Sequence, residues 1–467
     1  MKQKMSNRHI HFKGMYIATK MLILTTTSII ILLIYLQLDL TLSWHLQKES
    51  INTSSNLFKS TCNGALFPVQ VNTESNWGPV DQNRTIFVIS AYYVGERERI
   101  FVIGSKPFQE VTVICQLWFT SLDKKSRSIR QTNAKVVAPS GATGYNYTST
   151  IFECNLESAE QPTHVSLVVN SCENPLNLVK VREASKPAKY QRRFTVCLSP
   201  MFQFDEVFRL VEWIEFNRIL GAEKFLLYNY STGVNVEKVI GYYVNSGTVK
   251  VIQWDIPFPP ENNIEYFAQK AALNDCIFRN KNVSEFVINI DKDEYVIPHA
   301  EDLINWSQMI KLFDKNYAGY LIRHTFFRLD WKIKNQNFSE RQYAEAHDLV
   351  TLTHFEHEKK IWPACHRSKY FARTAYVEFG NIHEIPRGRI FTVPTNIALL
   401  HHYRIYGDPK QYEKVKDFTV LLKYGHTLTR NVQKIWKALS VSNNIHRNLS
   451  LMNLNSADSG LRKFKTF

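Results

Sequence analysis

The chain has 467 residues, which leaves room for about two or three domains at the usual domain length of roughly 100–200 residues. Its hydrophobic content of 44% and aromatic content of 13% are those of an ordinary globular protein. The formal net charge of +15 is spread along the chain without a nucleic-acid-like block, so composition does not indicate DNA binding. The excess positive charge suits an anionic small ligand or an anionic membrane surface.

The N-terminus joins a basic stretch to an apolar one. Five basic residues lie in the first twenty positions and precede a charge-free segment, residues 21–38, which Asp39 ends. This order predicts a signal-anchor helix that spans a membrane once, with residues 1–20 in the cytosol and the rest in the lumen. A buried core helix is the alternative interpretation, and the charged flanks argue against it.

Glycosylation sequons and cysteines agree with a lumenal body. Eight Asn-x-Ser/Thr sequons occur along the chain, as expected of a protein in the secretory pathway. The seven cysteines are dispersed without CxxC spacing, which argues against zinc ribbons and favours disulfide bonds with one thiol left over. Cys115 and Cys154 lie in two predicted strands that a disulfide could join.

Patterning divides the chain after the anchor into four parts. Residues 39–81 are rich in Ser, Thr, Asn and Gln and are predicted to form a stem. Residues 82–185 contain short β-branched runs separated by polar turns, which predicts a small all-β accessory domain. Residues 190–440 are predicted to form an α/β catalytic domain, and residues 441–467 a polar tail.

In the predicted catalytic domain, strand and helix patterns alternate four times. Apolar strands begin near residues 194, 224, 248 and 286, and helices near 205, 234 and 264 separate them. Such alternation predicts a parallel sheet built from right-handed βαβ units, with ligands at the carboxyl ends of the strands. An amphipathic helix is predicted near residues 418–439. The sequence contains no GxGxxG or Walker loop.

The fourth strand ends in acid, in the stretch "FVINIDKDEYVIP", where Asp291, Asp293 and Glu294 follow an apolar run. The acids either form a solvated turn or hold a cation such as Mg²⁺ or Mn²⁺. An EF-hand is excluded because Val296 stands where its loop needs glycine. Without a glycine-rich phosphate loop, a carboxylate-held metal is the other economical way to bind a diphosphate. The natural chemistry is sugar transfer from a nucleotide diphosphate.

Several longer motifs carry a family resemblance. They are "VCLSPMF", "RLVEWIEFNRILGAEKFLLYNYS", "Y..Q.AALNDCIFR", "IDKDEYVIP" and "ALLHHYR". In this order they resemble the family 92 glycosyltransferases, whose known members are β-1,4-galactosyltransferases with a GT-A fold, a Rossmann-like nucleotide-sugar-binding fold. The similarity covers roughly residues 85–405, and the acidic turn reads DKDEY where the family usually has DxDEF.

The resemblance implies a metal site made by Asp291, Asp293 and His402 of the "HYR" pattern, with Mn²⁺ or Mg²⁺ as the ion. His401 and His383 are the alternative histidines, and any of the three could instead be structural. The nucleotide is expected to meet the ends of the first strands and the following helix. The predicted contacts are Ser199, Tyr228, Asn229, Gln269, Asp275 and Arg404. Tyr228 could also be strand core, Asn229 could be glycosylated, and Asp275 could be an ordinary exposed acid.

An inverting transfer needs a general base to deprotonate the acceptor hydroxyl. The candidates are Glu294, Asp330 and Glu384, and the sequence does not choose among them or the neighbouring acids. Trp362 could stack on an acceptor sugar or could be buried packing.

The resulting hypothesis is a Golgi type II membrane enzyme. It would transfer galactose from UDP-galactose to O4 of a terminal galactose or fucose on a glycoprotein or glycolipid glycan, and the resemblance supplies donor and linkage. The alternative is an inactive lumenal carbohydrate-binding protein. A metal-dependent hydrolase is disfavoured because no HExxH is present. The sequence leaves the acceptor and the oligomeric state open.

Overall fold

The computed structural model describes residues 76–120, 127–137, 144–157, 160–331, 338–405 and 412–442. The predicted cytosolic tail and membrane anchor, most of the predicted stem and nearly all of the predicted polar tail lie outside these residues. Among the described residues, no helix is both long enough and apolar enough to cross a membrane.

The first eight strands form one sheet, named here the barrel sheet. They are β1 Gly78–Pro79, β2 Phe87–Val94, β3 Arg99–Pro107, β4 Ile114–Thr120, β5 Arg127–Val137, β6 Tyr147–Asn155, β7 His164–Val168 and β8 Val179–Glu183. The strand order is β1-β2-β3-β6-β5-β4-β7-β8, and a further parallel pairing of β2 with β8 closes the sheet. The predicted all-β region is confirmed. The closure of this sheet into a barrel was not predicted, because the residue pattern of single strands does not show which edge strands of a sheet pair with each other.

Disulfide bonds join distant parts of the chain. Cys115 in β4 is bonded to Cys154 in β6, which confirms the predicted pair. Cys197 is bonded to Cys276, Cys172 is also disulfide-bonded, and Cys365 is free and exposed. The predicted leftover thiol is therefore present among the described cysteines.

Removal of the barrel disulfide by the double substitution Cys115→Ala and Cys154→Ala is expected to destabilise the protein. The bond closes a loop between residues 39 positions apart. By restricting the unfolded chain, such a loop stabilises the folded protein by about 2–4 kcal/mol. Denaturant unfolding of both proteins measures the difference. Cys365→Ala is the matched control and should leave the midpoint in place; equal midpoints for all three proteins would contradict the prediction.

A second sheet, the central sheet, confirms the predicted alternation. Its parallel strands are β9 Arg192–Met201, β10 Lys224–Asn229, β11 Val249–Gln253 and β12 Ser284–Asn289. Helices α1 Val207–Leu220, α2 Val234–Asn245 and α3 Gln269–Asn280 connect them. Helix α1 forms because apolar residues recur at helical spacing, and it ends at Gly221, whose φ of 127° suits glycine.

The remaining elements extend this sheet and add another. They are α4 Trp306–Ile310, β13 Glu294–Pro298, β14 Gly319–Ile322, β15 His324–Arg328, α5 Arg341–Ala346, α6 Val350–Thr353, β16 Glu356–Glu358, β17 Lys369–Arg373, β18 Ile390–Thr392, β19 Ala398–Arg404, β20 Lys414–Lys416 and α7 Thr419–Ser442. The central sheet has the order β11-β10-β9-β12-β17-β14-β18, and the third sheet has the order β13-β19-β15-β16-β20. Strand β17 runs antiparallel to both of its neighbours. The predicted amphipathic helix near residue 418 is α7.

The barrel and the α/β part share a hydrophobic core. The rings of Trp77 and Trp254 lie 5.1 Å apart, and the ring of Phe278 on α3 stacks on Tyr92 at 5.6 Å and on Phe101 at 5.0 Å. These aromatic side chains belong to one continuous buried cluster. Burial of such large rings is a strong stabilising contribution, so each part covers apolar surface of the other. The predicted division into two domains stays a prediction.

Candidate active site

The acidic turn passes from the central sheet to the third sheet and is held by its main chain. It follows β12 and ends where β13 begins at Glu294. The indole Nε1 of Trp213 donates to the carbonyl oxygen of Asp291 at 2.9 Å, and the amide of Tyr403 donates to the carbonyl oxygen of Asp293 at 2.8 Å. These bonds fix the direction in which the two aspartate side chains point.

Asp291 is surrounded by donors. Ser199 Oγ donates to Oδ1 at 2.8 Å, and Gln269 Nε2 donates to Ser199 Oγ at 2.6 Å. Lys369 Nζ donates to Oδ2 at 2.7 Å. Burial alone would raise the pKa of Asp291, but the Lys369 ammonium and the hydrogen bonds hold that pKa at about 2. Asp291 is therefore a carboxylate whose two oxygens already have partners.

Asp293 and His402 face each other at the same turn. Oδ2 of Asp293 lies 3.3 Å from Nε2 of His402, and the Asp293 side chain is 30% exposed. Burial opposes charge on both groups, yet their mutual attraction lowers the pKa of Asp293 and raises the pKa of His402. A carboxylate and an imidazole at this distance could bind one ion together.

Glu294 lies behind this pair and is only 1% exposed. Its Oε2 accepts a hydrogen bond from the amide of Asp291 at 3.0 Å and lies 3.3 Å from Lys369 Nζ. Its Oε1 lies 3.4 Å from His402 Nδ1. Burial raises the pKa of Glu294. These contacts favour a positioning role over the general-base role predicted for Glu294, because the carboxyl group is closed to an acceptor hydroxyl.

Aromatic and imidazole rings stand beside His402. The ring of His324 stacks on Trp362 at 5.7 Å and lies 5.9 Å from the ring of His402. Burial lowers the pKa of His324 to about 3 and that of His383 to about 4, so both rings are neutral near pH 7. Among the described residues, the buried Nε1 of Trp362 has no hydrogen-bond partner. An unpartnered donor suits a polar ligand such as a sugar, and Lys360 Nζ, 3.6 Å from the centre of the Trp362 ring, places a positive charge beside it.

Three of the predicted nucleotide contacts, Ser199, Gln269 and Arg404, lie near the turn. Ser199 and Gln269 are joined to Asp291 by the hydrogen bonds given above. Arg404 is exposed at the end of β19 and contributes to the low pKa of Asp293 through its charge. Asn229 ends β10, and its buried Oδ1 has no hydrogen-bond partner among the described residues.

The structure corrects the prediction for Asp275 and Tyr228. Asp275 is fully buried between α3 and the barrel. Its carboxylate accepts hydrogen bonds from Ser90 at 2.5 Å, Tyr92 at 2.5 Å, Tyr228 at 2.6 Å and the guanidinium of Arg279 at 3.0 and 3.1 Å. Because every donor is internal, these side chains join the two parts of the protein and are not available to a nucleotide.

The structure places the two remaining candidate bases, Asp330 and Glu384, and the alternative histidine His401 in different surroundings. Both carboxylate oxygens of Asp330 are held by the guanidinium of Arg328, at 2.9 and 2.7 Å, which leaves it poorly placed as a base. Glu384 accepts a hydrogen bond from the side-chain amide of Asn381 at 3.2 Å, also interacts with the thiol of Cys365, and lies on the loop that carries His383. Of the three predicted bases, Glu384 is the one whose carboxylate is partly exposed and held by a neutral amide. His401 points away from the turn.

Sequence reasoning missed Lys369, which joins Asp291 to Glu294. It begins β17, in the run "KYFAR", and its side chain is 2% exposed. A lysine at the start of a buried strand is rarely buried without a charged partner. This pattern could have indicated from the sequence that Lys369 has such a partner. The partner could not be predicted, because β17 runs antiparallel to β12 and its start therefore lies beside the end of β12.

The chain is similar to known glycosyltransferases. A family model described as "Glycosyltransferase family 92" matches residues 192–449. A β-1,4-galactosyltransferase of Caenorhabditis elegans is 26% identical over 168 residues, 35% of this chain and 39% of that protein. A galactan β-1,4-galactosyltransferase of Arabidopsis thaliana is 24% identical over 247 residues, 48% of this chain and 49% of that protein. The matches thus span less than half of the length of these curated relatives.

Solved structures match at lower similarity. The fragment of TarS from S. aureus with residues 1–349 is 12% identical, with a TM-score of 0.27, over 45% of this chain and 60% of that one. Glucosyl-3-phosphoglycerate synthase from M. tuberculosis is 12% identical, with a TM-score of 0.22, over 53% of this chain and 80% of that one. At these TM-scores the likeness carries no argument about function.

Proposed function

The chain belongs to glycosyltransferase family 92, and from this premise we propose a metal-dependent, inverting galactosyltransferase. The donor would be UDP-galactose, and the acceptor would be O4 of a terminal galactose or fucose on a glycan. The observation that carries the proposal is the pairing of Asp293 Oδ2 with His402 Nε2 at 3.3 Å, beside the hydrogen-bonded chain from Gln269 through Ser199 to Asp291.

The residues at the turn fit a divalent cation. Asp293 and His402 would hold Mn²⁺ or Mg²⁺, since the Asp293 side chain is partly exposed and has no donor other than His402 among the contacts described above. When bound, the ion neutralises charge on the departing diphosphate. Asp291, whose oxygens are held by Ser199 and Lys369, would set the position of the turn and the charge around the diphosphate.

The surrounding side chains would bind and orient the substrates. Arg404 is exposed next to Asp293 and would attract phosphate oxygens. Asn229 would offer an amide to the nucleotide at the strand end. Trp362, with an unpartnered Nε1 and a neutral histidine beside it, would line the acceptor side. Glu384 would accept the proton of the acceptor hydroxyl.

The location is part of the same proposal. The basic start of the chain, the charge-free segment 21–38 and the sequons predict a single-pass type II protein with a lumenal catalytic part. Disulfide bonds between Cys115 and Cys154 and between Cys197 and Cys276 suit an oxidising compartment. We infer the Golgi membrane.

The test is UDP release by the purified full chain, supplied with UDP-galactose and a galactose- or fucose-ended glycan, with Mn²⁺ or with EDTA. Asp293→Asn should lower the rate about 100-fold or more, because the carboxylate that would face the cation is lost. Asp302→Asn, a change at an exposed aspartate, is the matched control and should keep full activity. A folded protein that binds glycans but releases no UDP from any nucleotide sugar would favour a carbohydrate-binding protein.

A further inference from the structure

A second cluster of potential metal ligands lies apart from the acidic turn. Nε2 of His299 is 2.8 Å from Nε2 of His401. Oδ2 of Asp417 is 3.6 Å from the first of these nitrogens and 3.4 Å from the second. We propose that His299, His401 and Asp417 bind one zinc-class divalent cation. The inference is independent of the proposed galactosyl transfer.

The spacing of the three atoms matches the size of such an ion. A triangle with these three edges has a circumscribed circle with a radius of about 1.9 Å, close to the zinc–ligand distances of roughly 2.0–2.2 Å. A cation slightly outside the plane would therefore contact all three atoms without movement of the backbone. The three ligand atoms also come from side chains that converge on one point, within 4.8 Å of one another.

The cluster is separated from the acidic turn by the third sheet itself. His401 and His402 are neighbours in β19, and successive side chains of a strand point to opposite faces. His402 meets Asp293 on one face, and His401 meets His299 and Asp417 on the other. One strand would therefore supply a ligand to each of two cations.

Hydrogen bonding alone leaves this cluster incomplete. If one imidazole donates its Nε2–H to the other, that proton is used and Oδ2 of Asp417 still needs a donor. Oδ2 of Asp417 is buried, on a side chain that is 8% exposed, and has no hydrogen-bond partner among the described residues. A cation satisfies all three lone pairs at once.

The surroundings supply the support that metal ligands usually have. Oδ1 of Asp417 accepts a hydrogen bond from the amide of Thr419 at 2.8 Å, which leaves Oδ2 directed at the histidines. Nδ1 of His401 lies 3.4 Å from the hydroxyl of Tyr403, and the ring of Phe327 stacks on His401 at 4.2 Å. Such contacts orient an imidazole and exclude water from one side.

The two proposed metal sites differ in the kinds of ligand atoms that they offer. Two imidazoles and one carboxylate suit zinc, whereas oxygen-rich sites suit Mg²⁺ and Mn²⁺. Three protein ligands leave a fourth position for water, and His299, with a side chain that is 19% exposed, gives access from solvent. The ion would tie the end of β13, the strand β19 and the start of α7 together.

The experiment measures metal content and metal spectra of the full chain. After EDTA treatment and removal of the chelator, the protein is titrated with ZnCl₂ and, separately, with CoCl₂. The variant Asp293→Asn removes the carboxylate that would face the other cation, and it should still bind about one zinc per chain. It should also show the visible absorption bands of tetrahedral Co²⁺, and zinc should raise its thermal midpoint.

Two further variants assign the ligands. His299→Gln in the same background should weaken zinc binding more than about 10-fold and abolish the Co²⁺ bands. His354→Gln, a change at another half-buried histidine, should leave both unchanged. Asp417→Ala removes the carboxylate without creating an Asn-x-Thr sequon with Thr419, and it should also weaken zinc binding. Overturning results would be an absence of zinc and cobalt binding in the folded Asp293→Asn protein, or equal binding with and without His299.

Discussion

Lys369→Met is expected to lower the free energy of unfolding by about 3–5 kcal/mol, the cost of leaving buried charges without their partner. Lys369 is 2% exposed and lies 2.7 Å from Asp291 Oδ2 and 3.3 Å from Glu294 Oε2. Without the ammonium, two adjacent carboxyl groups repel each other and the turn shifts. If the proposed function is right, the rate of sugar transfer should fall about 100-fold, because a small displacement of the turn misplaces the site.

The pH dependence of the Lys369→Met effect follows from the same contacts. In the unmodified protein the pKa of Asp291 is about 2, so the stability from this carboxylate is present above pH 4 and is lost as pH falls toward 2. Without Lys369, burial raises the pKa of Asp291 above its unfolded value. The variant then gains stability relative to the parent as pH falls from about 7.5 to 5. Denaturant unfolding in EDTA at both pH values measures this difference.

Lys281→Met is the matched control for a buried lysine without a carboxylate partner. Lys281 is 6% exposed, and its ammonium donates to the carbonyl oxygens of Thr374 and Val377, each at 2.7 Å. Its loss should cost about 1–3 kcal/mol through unsatisfied carbonyls. Burial lowers the pKa of Lys281 to about 8, so its side chain stays mostly protonated between pH 5 and 7.5. The loss of stability in the variant should therefore not change over this pH range. A pH-independent loss for Lys369→Met would contradict the ion-pair account.

Asp275→Ala is expected to cost about 3–5 kcal/mol and to loosen the contact between the barrel and the central sheet. Burial alone would raise the pKa of Asp275, but Arg279 and three hydroxyl donors hold it at about 2. Removal of the carboxylate leaves a buried guanidinium and these hydroxyl groups without their acceptor. Thermal or denaturant unfolding of the full chain measures the loss.

Asp275→Asn separates this structural role from the nucleotide contact predicted from the sequence. A structural role predicts lower stability and faster hydrogen exchange in β2 and α3, with an unchanged KM for the proposed donor UDP-galactose. Glu215→Gln is the control within the α/β part, because Glu215 is 2% exposed and accepts from Tyr243 and Arg218. Its effect on exchange should stay within α1 and α2. A raised KM with normal stability would restore the nucleotide role of Asp275.

The helices, the strands and the acidic turn could be predicted from the sequence, because they depend on the local pattern of apolar and polar residues. Apolar periodicity places α1, and the acids that follow an apolar strand place Asp291 and Asp293 at the carboxyl edge of the sheet. His402 follows from the family motif, and the structure brings it to within 3.3 Å of Asp293. The sequence offered Cys115 and Cys154 as a pair that could join two strands but left the connectivity open, and the structure shows this pair bonded.

The remaining features depend on contacts between distant segments. An acid on a helix, such as Asp275, has the same local pattern whether it faces solvent or a barrel that the sequence does not place. The pairing of Lys369 with the turn depends on the reversed direction of β17, which a strand pattern does not encode. Burial of Glu294 likewise follows from the third sheet, where it pairs with His402 across β13 and β19.

The reversed strand β17 has a consequence for the order in which the molecule is completed. Asp291 is partnered by Ser199, which precedes it by 92 residues, and by Lys369, which follows it by 78 residues. Contacts at such separations form late, because long loops must close first. During synthesis the charges of the acidic turn therefore remain without these partners. They gain them only when the strands that carry Lys369 and His402 have packed beside the turn. A chain arrested before that step would hold most of its sheet and yet lack the site.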